Sequence, residues 1–423
     1  MKYLSLFLLF ITAASPIIFA QTTPNFTTCS YEDIKARMLL YDPNTEETLA
    51  ANKNFIQARV AEIQQNRLNG NQSSVNASYT IPVVLHVFHN GDDAYLDMDQ
   101  LQSGLDVINT DFNGWNTDWN TIDPAFDTIK ASLDIEFCLA SIDPDGNPTT
   151  GVVYYDNEEA MLNQIELTQY SWDNYKYLNI YLPKYTNGSP SLFTAYANLP
   201  STVLSDDGYA GITYSSIRWG YGAHSELEDG QEWASVGTHE VGHWLNLHHT
   251  FRYGCSSIGD EVDDTPPTQG GSIELEGCYN NDFSCELATN GSNYMDYNHD
   301  CKKMFTQGQV DRMTAALELP SRITLWSEEN LIATGCADVV PTTTLVDRNF
   351  VHISPNPARD IIQFSFNAPP QQLFIYNVQG KVLSTSLTQA SSTTVDISSF
   401  PAGIYYYSAI FNDGSQSGKF IVQ

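Results

Sequence analysis

The chain has 423 residues, with 50 Asp and Glu against 19 Lys and Arg, for a formal net charge of −31. Cations this scarce exclude nucleic acid and anionic membrane surfaces as partners, since both need neutralising side chains. With 42% hydrophobic and only 16% charged residues, the chain is no disordered polyelectrolyte, and its length allows two or three domains.

The charge is not evenly spread. Residues 1–20 carry +1, residues 21–77 hold 5 basic and 6 acidic side chains, and residues 338–423 hold 4 and 5. The middle, 78–337, holds 9 and 39, hence −30. Such a block suits a cation binder or a protein that acts on basic partners.

Along the chain, Lys2 and the apolar run Leu4 to Ile11, ending at Ala20-Gln21, predict a signal peptide over 1–20. No later stretch is apolar enough for a membrane span, so an exported, water-soluble protein is expected. Residues 21–77 are polar and helical in pattern, with Ile34, Met38, Phe55, Val60 and Ile63 at helix-like spacings. They end in a soft stretch, Asn69 to Ser78. Tyr79 to Phe88 reads as a buried strand, and Met98 to Phe112 as an amphipathic helix. Ile135 to Ile142 and Tyr177 to Leu182 read as strands, and Glu232 to Leu247 as a helix. Residues 250–300 are loop-like. This alternation predicts an α/β or α+β domain over 78–337. A Pro/Thr-rich linker, 338–349, leads to short alternating strands over 350–423: Ile361–Phe366, Leu373–Val378, Thr394–Ile397, Ile404–Phe411 and Lys419–Val422. Turns at Gln379-Gly380 and Asp413-Gly414 complete a small β-sandwich pattern.

Seven cysteines in an exported chain predict disulfides with one thiol left over. Cys255, Cys278, Cys285 and Cys301 lie close enough for two local bridges. Cys138 and Cys336 form a candidate third, and Cys29 remains.

The strongest chemistry lies in HEVGHWLNLHH, residues 239–249. His239 and His243 fall on one helical face, four residues apart, and present both imidazoles to one ion. Glu240 beside them can reach a water on that ion. His249 reaches the same ion only if the helix ends and the chain turns at Asn246, which tolerates the left-handed conformation better than most residues. Three neutral nitrogens leave a fourth position open, the arrangement of a catalytic zinc. His248 is expected at the surface or behind the ligands.

His239-Glu240-x-x-His243-x-x-Asn246-x-x-His249 resembles the metzincin signature, with Asn where that pattern has Gly. Asn293-Tyr294-Met295-Asp296-Tyr297 resembles the Met-turn. With GDEVDDTPP and the four clustered cysteines, residues 79–337 resemble the pappalysin-like metalloproteases of the ulilysin and cytophagalysin type. The resemblance implies an α+β, two-subdomain catalytic domain over 78–337 with an active-site helix and a Met-turn, after a helical propeptide. It implies one catalytic zinc, Glu240 as general base in peptide-bond hydrolysis and Tyr297 as stabiliser of the tetrahedral intermediate. Met295 would floor the site without ligating.

The ten carboxylates and no Lys or Arg between Cys255 and Cys301 suit a hard cation. Asp260, Asp264 and Thr265 match the family's calcium positions. The resemblance also implies bridges Cys255–Cys285 and Cys278–Cys301; sequence alone leaves all three pairings open. Asp300 falls near a position lining the primed-side pocket, where a carboxylate would select Arg or Lys after the scissile bond. Cys29 matches a cysteine switch that ligates zinc in the zymogen, and Asn66-Arg67 is then a candidate self-processing bond.

The tail, FVHISPNPARDII with FPAGIYYYSA and GKFIVQ, resembles the C-terminal sorting domain of the type IX secretion system. It implies that machinery as a partner, with passage through the periplasm to the cell surface or beyond. The expected function is thus a secreted zinc endopeptidase with protein or peptide substrates. The alternative is a surface adhesion or binding protein with a vestigial zinc site. The intact Glu240 speaks against it, since binding needs no general base.

Overall fold

The computed structural model describes residues 31–70, 78–186, 194–222, 235–269, 283–297, 302–337, 351–366, 369–377, 381–386, 390–411 and 414–422. Two compact units divide at residues 339 and 340. Cys29, Cys278, Asp300, Cys301, the expected signal peptide, the turn Gln379-Gly380 and the linker 338–349 lie outside the described residues.

The first unit opens with helices α1 (Tyr31–Tyr41) and α2 (Thr45–Leu68). Strand β1 (Tyr79–His89) and helix α3 (Met98–Phe112) follow, then strands β2 (Lys130–Ala131), β3 (Ile135–Leu139) and β4 (Val152–Asp156). Next come α4 (Glu158–Met161), β5 (Leu178–Leu182), β6 (Ala195–Ala197), α5 (Thr202–Asp206) and β7 (Ile212–Tyr214). Helix α6 (Val236–Trp244) carries the two leading histidines. Strands β8 (Phe283–Ser284), β9 (Leu287–Ala288) and β10 (Phe305–Thr306), then α7 (Gln307–Leu317) and α8 (Glu328–Thr334), complete it.

The main sheet runs β3-β1-β5-β7-β6. The long β1 pairs along its first half with β3 and along its second half with β4. All these pairings are parallel except β6 with β7, at the sheet edge. Parallel strands buried on both faces read as continuous apolar runs, which is why YTIPVVLHVF stands out in the sequence. Alternation along β1 sends Ile81, Val83, Leu85 and Val87 to one core face, where α3 supplies Leu101, Leu105 and Ile108 and α6 supplies Val241 and Trp244. On the other face Phe88 and Tyr181 pack with Ala160 and Met161 of α4.

Helix α1 places Ile34 and Met38 against Leu199, Leu204 and Ala210. In α2 it is Ile56, Val60 and Ile63 that meet Ala315, Ala316 and Leu319 at α7. Phe55, expected in this stripe, is instead exposed; its neighbour Ile56 takes the inward position. Three cations of α2 flank the apolar contact. Lys53 Nζ lies 2.9 Å from Glu261 Oε1, and Arg59 grips Glu318 with two hydrogen bonds of 2.7 and 2.9 Å. Arg67 pairs with the buried Asp311.

Several expected elements are shorter, and some went unforeseen. The strand expected over Ile135 to Ile142 ends at Leu139. The described helix around the histidines begins at Val236 and stops at Trp244. β4, β6 and β7 carry no alternation long enough to mark them. Cys138–Cys336 and Cys255–Cys285 are disulfide-bonded.

The second unit is all β. One sheet holds β11 (Val351–Ser354), β12 (Ile361–Phe366) and β15 (Ser392–Asp396). The other holds β13 (Gln372–Tyr376), β14 (Val382–Ser386), β16 (Gly403–Phe411) and β17 (Gly414–Val422). Alternate residues Ile362, Phe364 and Phe366 of β12 join Leu373, Ile375, Ala409 and Phe420 in one core, the packing of a β-sandwich.

Candidate metal centre

Helix α6 is buried along its whole length, so its polar side chains must find partners inside the protein. Thr238 Oγ1 donates to Asp111 Oδ2 of α3 at 2.7 Å. Burial pushes the Asp111 carboxyl up to about 7, against the pull of hydroxyl hydrogen bonds from Thr238, Ser235 and Tyr294.

The helix closes with paired bonds that turn the chain back. Leu247 N–H donates to Gly242 O at 2.8 Å and Asn246 N–H to His243 O at 2.8 Å, the Schellman pattern. Asn246 itself is left-handed, with φ +70. The turn delivers His249 back to the helix: its Nε2 lies 3.0 Å from Nε2 of both His239 and His243.

The other ring nitrogens are committed. His239 Nδ1–H donates to Tyr294 O at 2.7 Å, and His243 Nδ1–H to Leu247 O at 2.9 Å. Each bond fixes the tautomer that leaves Nε2 as an open lone pair, the usual support of a metal-ligating histidine. Burial holds all three imidazoles well below their ordinary pKa, His243 at about 4, so each is neutral at pH 7. Zinc with nitrogen ligands at 2.0–2.1 Å in a tetrahedron needs those nitrogens about 3.3 Å apart. His249 Nε2 stands at nearly that spacing from both partners and all three nitrogens lie within 4.8 Å of one another, which fits zinc; no other such cluster occurs among the described residues. The chain has a zinc site made by His239, His243 and His249.

Glu240 is buried on the same helix, directly after the first ligand. Phe251 stacks on His249 with ring centroids 4.7 Å apart, and Tyr297 meets His249 edge-on at 4.8 Å. Met295 is fully buried beneath the helix at Gly242. Its turn is pinned by Asn293 Oδ1, which accepts from Met295 N at 2.9 Å and from Gln309 Nε2 at 3.0 Å. Thr250 N–H donates to Met295 O at 3.2 Å and Thr250 Oγ1 to Asp296 Oδ2 at 2.8 Å, tying the turn to the segment that carries His249.

His248 is not at the surface. It is buried, and Arg312 Nη2 donates to its Nε2 at 3.0 Å. Arg312 and Asp111 are the polar partners that the sequence did not mark. They lie 66 and 127 residues from the groups they hold, beyond any local pattern.

The expected calcium residues fall in two places. Asp260 Oδ2 and Thr265 Oγ1 are buried with no hydrogen-bond partner among the described residues, and burial pushes the Asp260 carboxyl up to about 8. Asp264 instead caps α7, accepting from Thr306 Oγ1 at 2.7 Å and Gly308 N–H at 2.9 Å.

This architecture is similar to known proteins. Residues 162–318 match the M43 peptidase family, described as pregnancy-associated plasma protein-A, and residues 352–423 match a secretion system C-terminal sorting domain. That C-terminal unit marks the chain for secretion. Extracellular metalloprotease 1 of Coccidioides posadasii is 39% identical over 146 residues, 33% of this chain and 49% of that protein. An extracellular metalloprotease of Verticillium alfalfae is 31% identical over 57% of this chain and 74% of its own length. Mature mirolysin of Tannerella forsythia, solved with a cleaved peptide, superposes with a TM-score of 0.52 at 27% identity, over 61% of this chain and 99% of its own. A promirolysin mutant from the same organism gives 0.55 at 25% identity, over 69% and 94%. The chain spans about half the length of several of the curated relatives it matches, and about three quarters of others. With zinc ligands, Met-turn and α+β scaffold in this arrangement, the chain belongs to the M43 peptidase family.

Proposed function

We propose that this protein is the precursor of a secreted zinc endopeptidase. One observation carries the reading: three neutral histidine nitrogens converge, His249 Nε2 lying 3.0 Å from those of both His239 and His243, beside the buried Glu240 of the same helix. When bound there, zinc supplies Lewis acidity and a water acidic enough to react near neutral pH. Glu240 accepts the proton of the attacking water and delivers it to the departing amine. Tyr297, against His249, stabilises the oxyanion that develops on the peptide carbonyl. Digesting a proteome-derived peptide library with the processed protein tests this reading. Cleavage of internal peptide bonds supports it, and an untouched library contradicts it.

Four finer assignments accompany it. The segment 21–77 acts as propeptide, with Cys29 as a zinc ligand that keeps the site closed; the promirolysin likeness and the docking of α1 and α2 support this. Cys29→Ala should then show activity before processing. Asp300 selects Arg or Lys after the scissile bond, which the same digest reads directly; apolar residues there would refute it.

Asp260, Asp264 and Thr265 serve a structural calcium. The support is the crowding of carboxylates and the uncompensated oxygens of Asp260 and Thr265. A thermal midpoint unmoved by calcium would refute that. Residues 350–423 address the chain to the type IX machinery, so deleting them should leave it inside a host that has that system.

A further inference from the structure

The third zinc ligand depends on a turn that this chain builds from an unfavourable residue. Asn246 sits at φ +70, where its Cβ crowds the backbone and glycine would be at ease. Beside the backbone bonds that close the helix, one side chain from α7 grips this residue. Arg312 Nε donates to Asn246 O at 2.8 Å, and Arg312 Nη2 donates to Asn246 Oδ1 at 2.7 Å. The same Nη2 reaches His248 Nε2 at 3.0 Å, on the residue next to the ligand His249. The guanidinium is buried, 3% exposed, and Glu261 Oε2 lies 3.5 Å away to balance its charge. A planar fork satisfies a backbone and a side-chain oxygen of one residue at once in a fixed geometry that a flexible ammonium does not hold.

We propose that Arg312 is a positioning residue for the zinc site, clamping Asn246 in its left-handed turn so that His249 meets His239 and His243. The inference rests on the reading of those histidines as zinc ligands. It goes beyond that reading by assigning this turn's geometry to a residue 66 positions away. Asn is usable here because its side chain supplies the second acceptor; glycine would need no clamp.

The test uses the full chain and a double-mutant cycle of Arg312→Met and Asn246→Gly. Zinc affinity is read by competition with a chromophoric chelator, and ligand geometry by the visible spectrum of the cobalt-substituted protein. Arg312→Met should weaken zinc about 10-fold to 100-fold, the usual cost of losing an outer-shell support, and alter the cobalt spectrum. Adding Asn246→Gly should restore most of the affinity and the spectrum. Arg312→Lys, which keeps the charge and donors but loses the planar fork, should fall between wild type and Arg312→Met.

Wild-type zinc affinity and spectrum in Arg312→Met would overturn the clamp. So would a loss that Asn246→Gly does not relieve, because Arg312 would then act through His248 or Glu261. If Arg312→Met alone does not fold, recovery of zinc-binding protein by Asn246→Gly supports the clamp, and no recovery refutes it. A wild-type chain that binds no zinc would instead remove the zinc reading itself, which keeps the two failures apart.

Discussion

A Cβ built on Gly242 would lie 2.5 Å from Met295 Sδ. The helix between the two leading zinc ligands therefore rests directly on the methionine of the turn below it. Gly242→Ala would force that sulfur away. Overpacking of this kind costs about 1–3 kcal/mol, so a lower thermal midpoint is expected together with weaker zinc retention under chelator. Calorimetry of the full chain with and without zinc measures both. An unchanged midpoint would show that the contact is slack.

The docking of α2 rests partly on charge. Arg67 pairs with Asp311, whose side chain is buried in the second turn of α7, while Gln307 Nε2 also reaches Asp311 at 3.1 Å. Arg67→Ala would leave that carboxylate without its cation, and removing one member of a buried pair can cost about 3–5 kcal/mol. Arg67 itself is a third exposed, so solvent screening brings the expected cost to about 1–2 kcal/mol. The variant should lose residues 31–68 to an added protease faster than wild type. Equal cleavage rates, followed by gel electrophoresis, would rule out this ionic contact as a latch.

His86 gives a pH dependence away from the zinc site. It is fully buried on β1, with Nε2 2.9 Å from Asn179 Oδ1, and burial lowers its pKa from 6.5 to about 4. Between those values the unfolded chain binds the proton that the folded chain refuses. Stability from His86 is therefore complete above about pH 6.5 and is lost as pH falls towards 4. Each unit of that window costs about 1.4 kcal/mol. His86→Gln, which cannot titrate, should unfold with a shallower pH slope than wild type across the same window in denaturant titrations. Parallel slopes would contradict this account.

The parts of the site legible in the sequence are those that short-range geometry fixes. His239, Glu240 and His243 share one turn of helix, and His249 follows after a turn whose residue type permits φ above zero. Long apolar strands such as β1 and β12 were legible for the same reason, since alternation or continuity over many residues records burial. Three-residue strands such as β6 and β7 leave no such record. Neither did the supports of the site. Arg312 on Asn246, Gln309 on Asn293 and Asp111 on Thr238 are side-chain contacts made by folding, and each partner taken alone is an ordinary helical residue. Phe55 shows the remaining weakness: adjacent apolar residues at one helix position leave the inward one undecided until the neighbouring helix is known.

The central claim is that His239, His243 and His249 hold a zinc ion beside which Glu240 moves the proton in peptide hydrolysis. The most direct measurement is casein hydrolysis by the processed protein in four states: as purified, after chelation, after chelation with zinc restored, and as Glu240→Gln. The account predicts activity lost on chelation and regained with zinc. It predicts a loss of at least about 100-fold in Glu240→Gln, with zinc content and fold unchanged. Hydrolysis that survives both chelation and Glu240→Gln would contradict it.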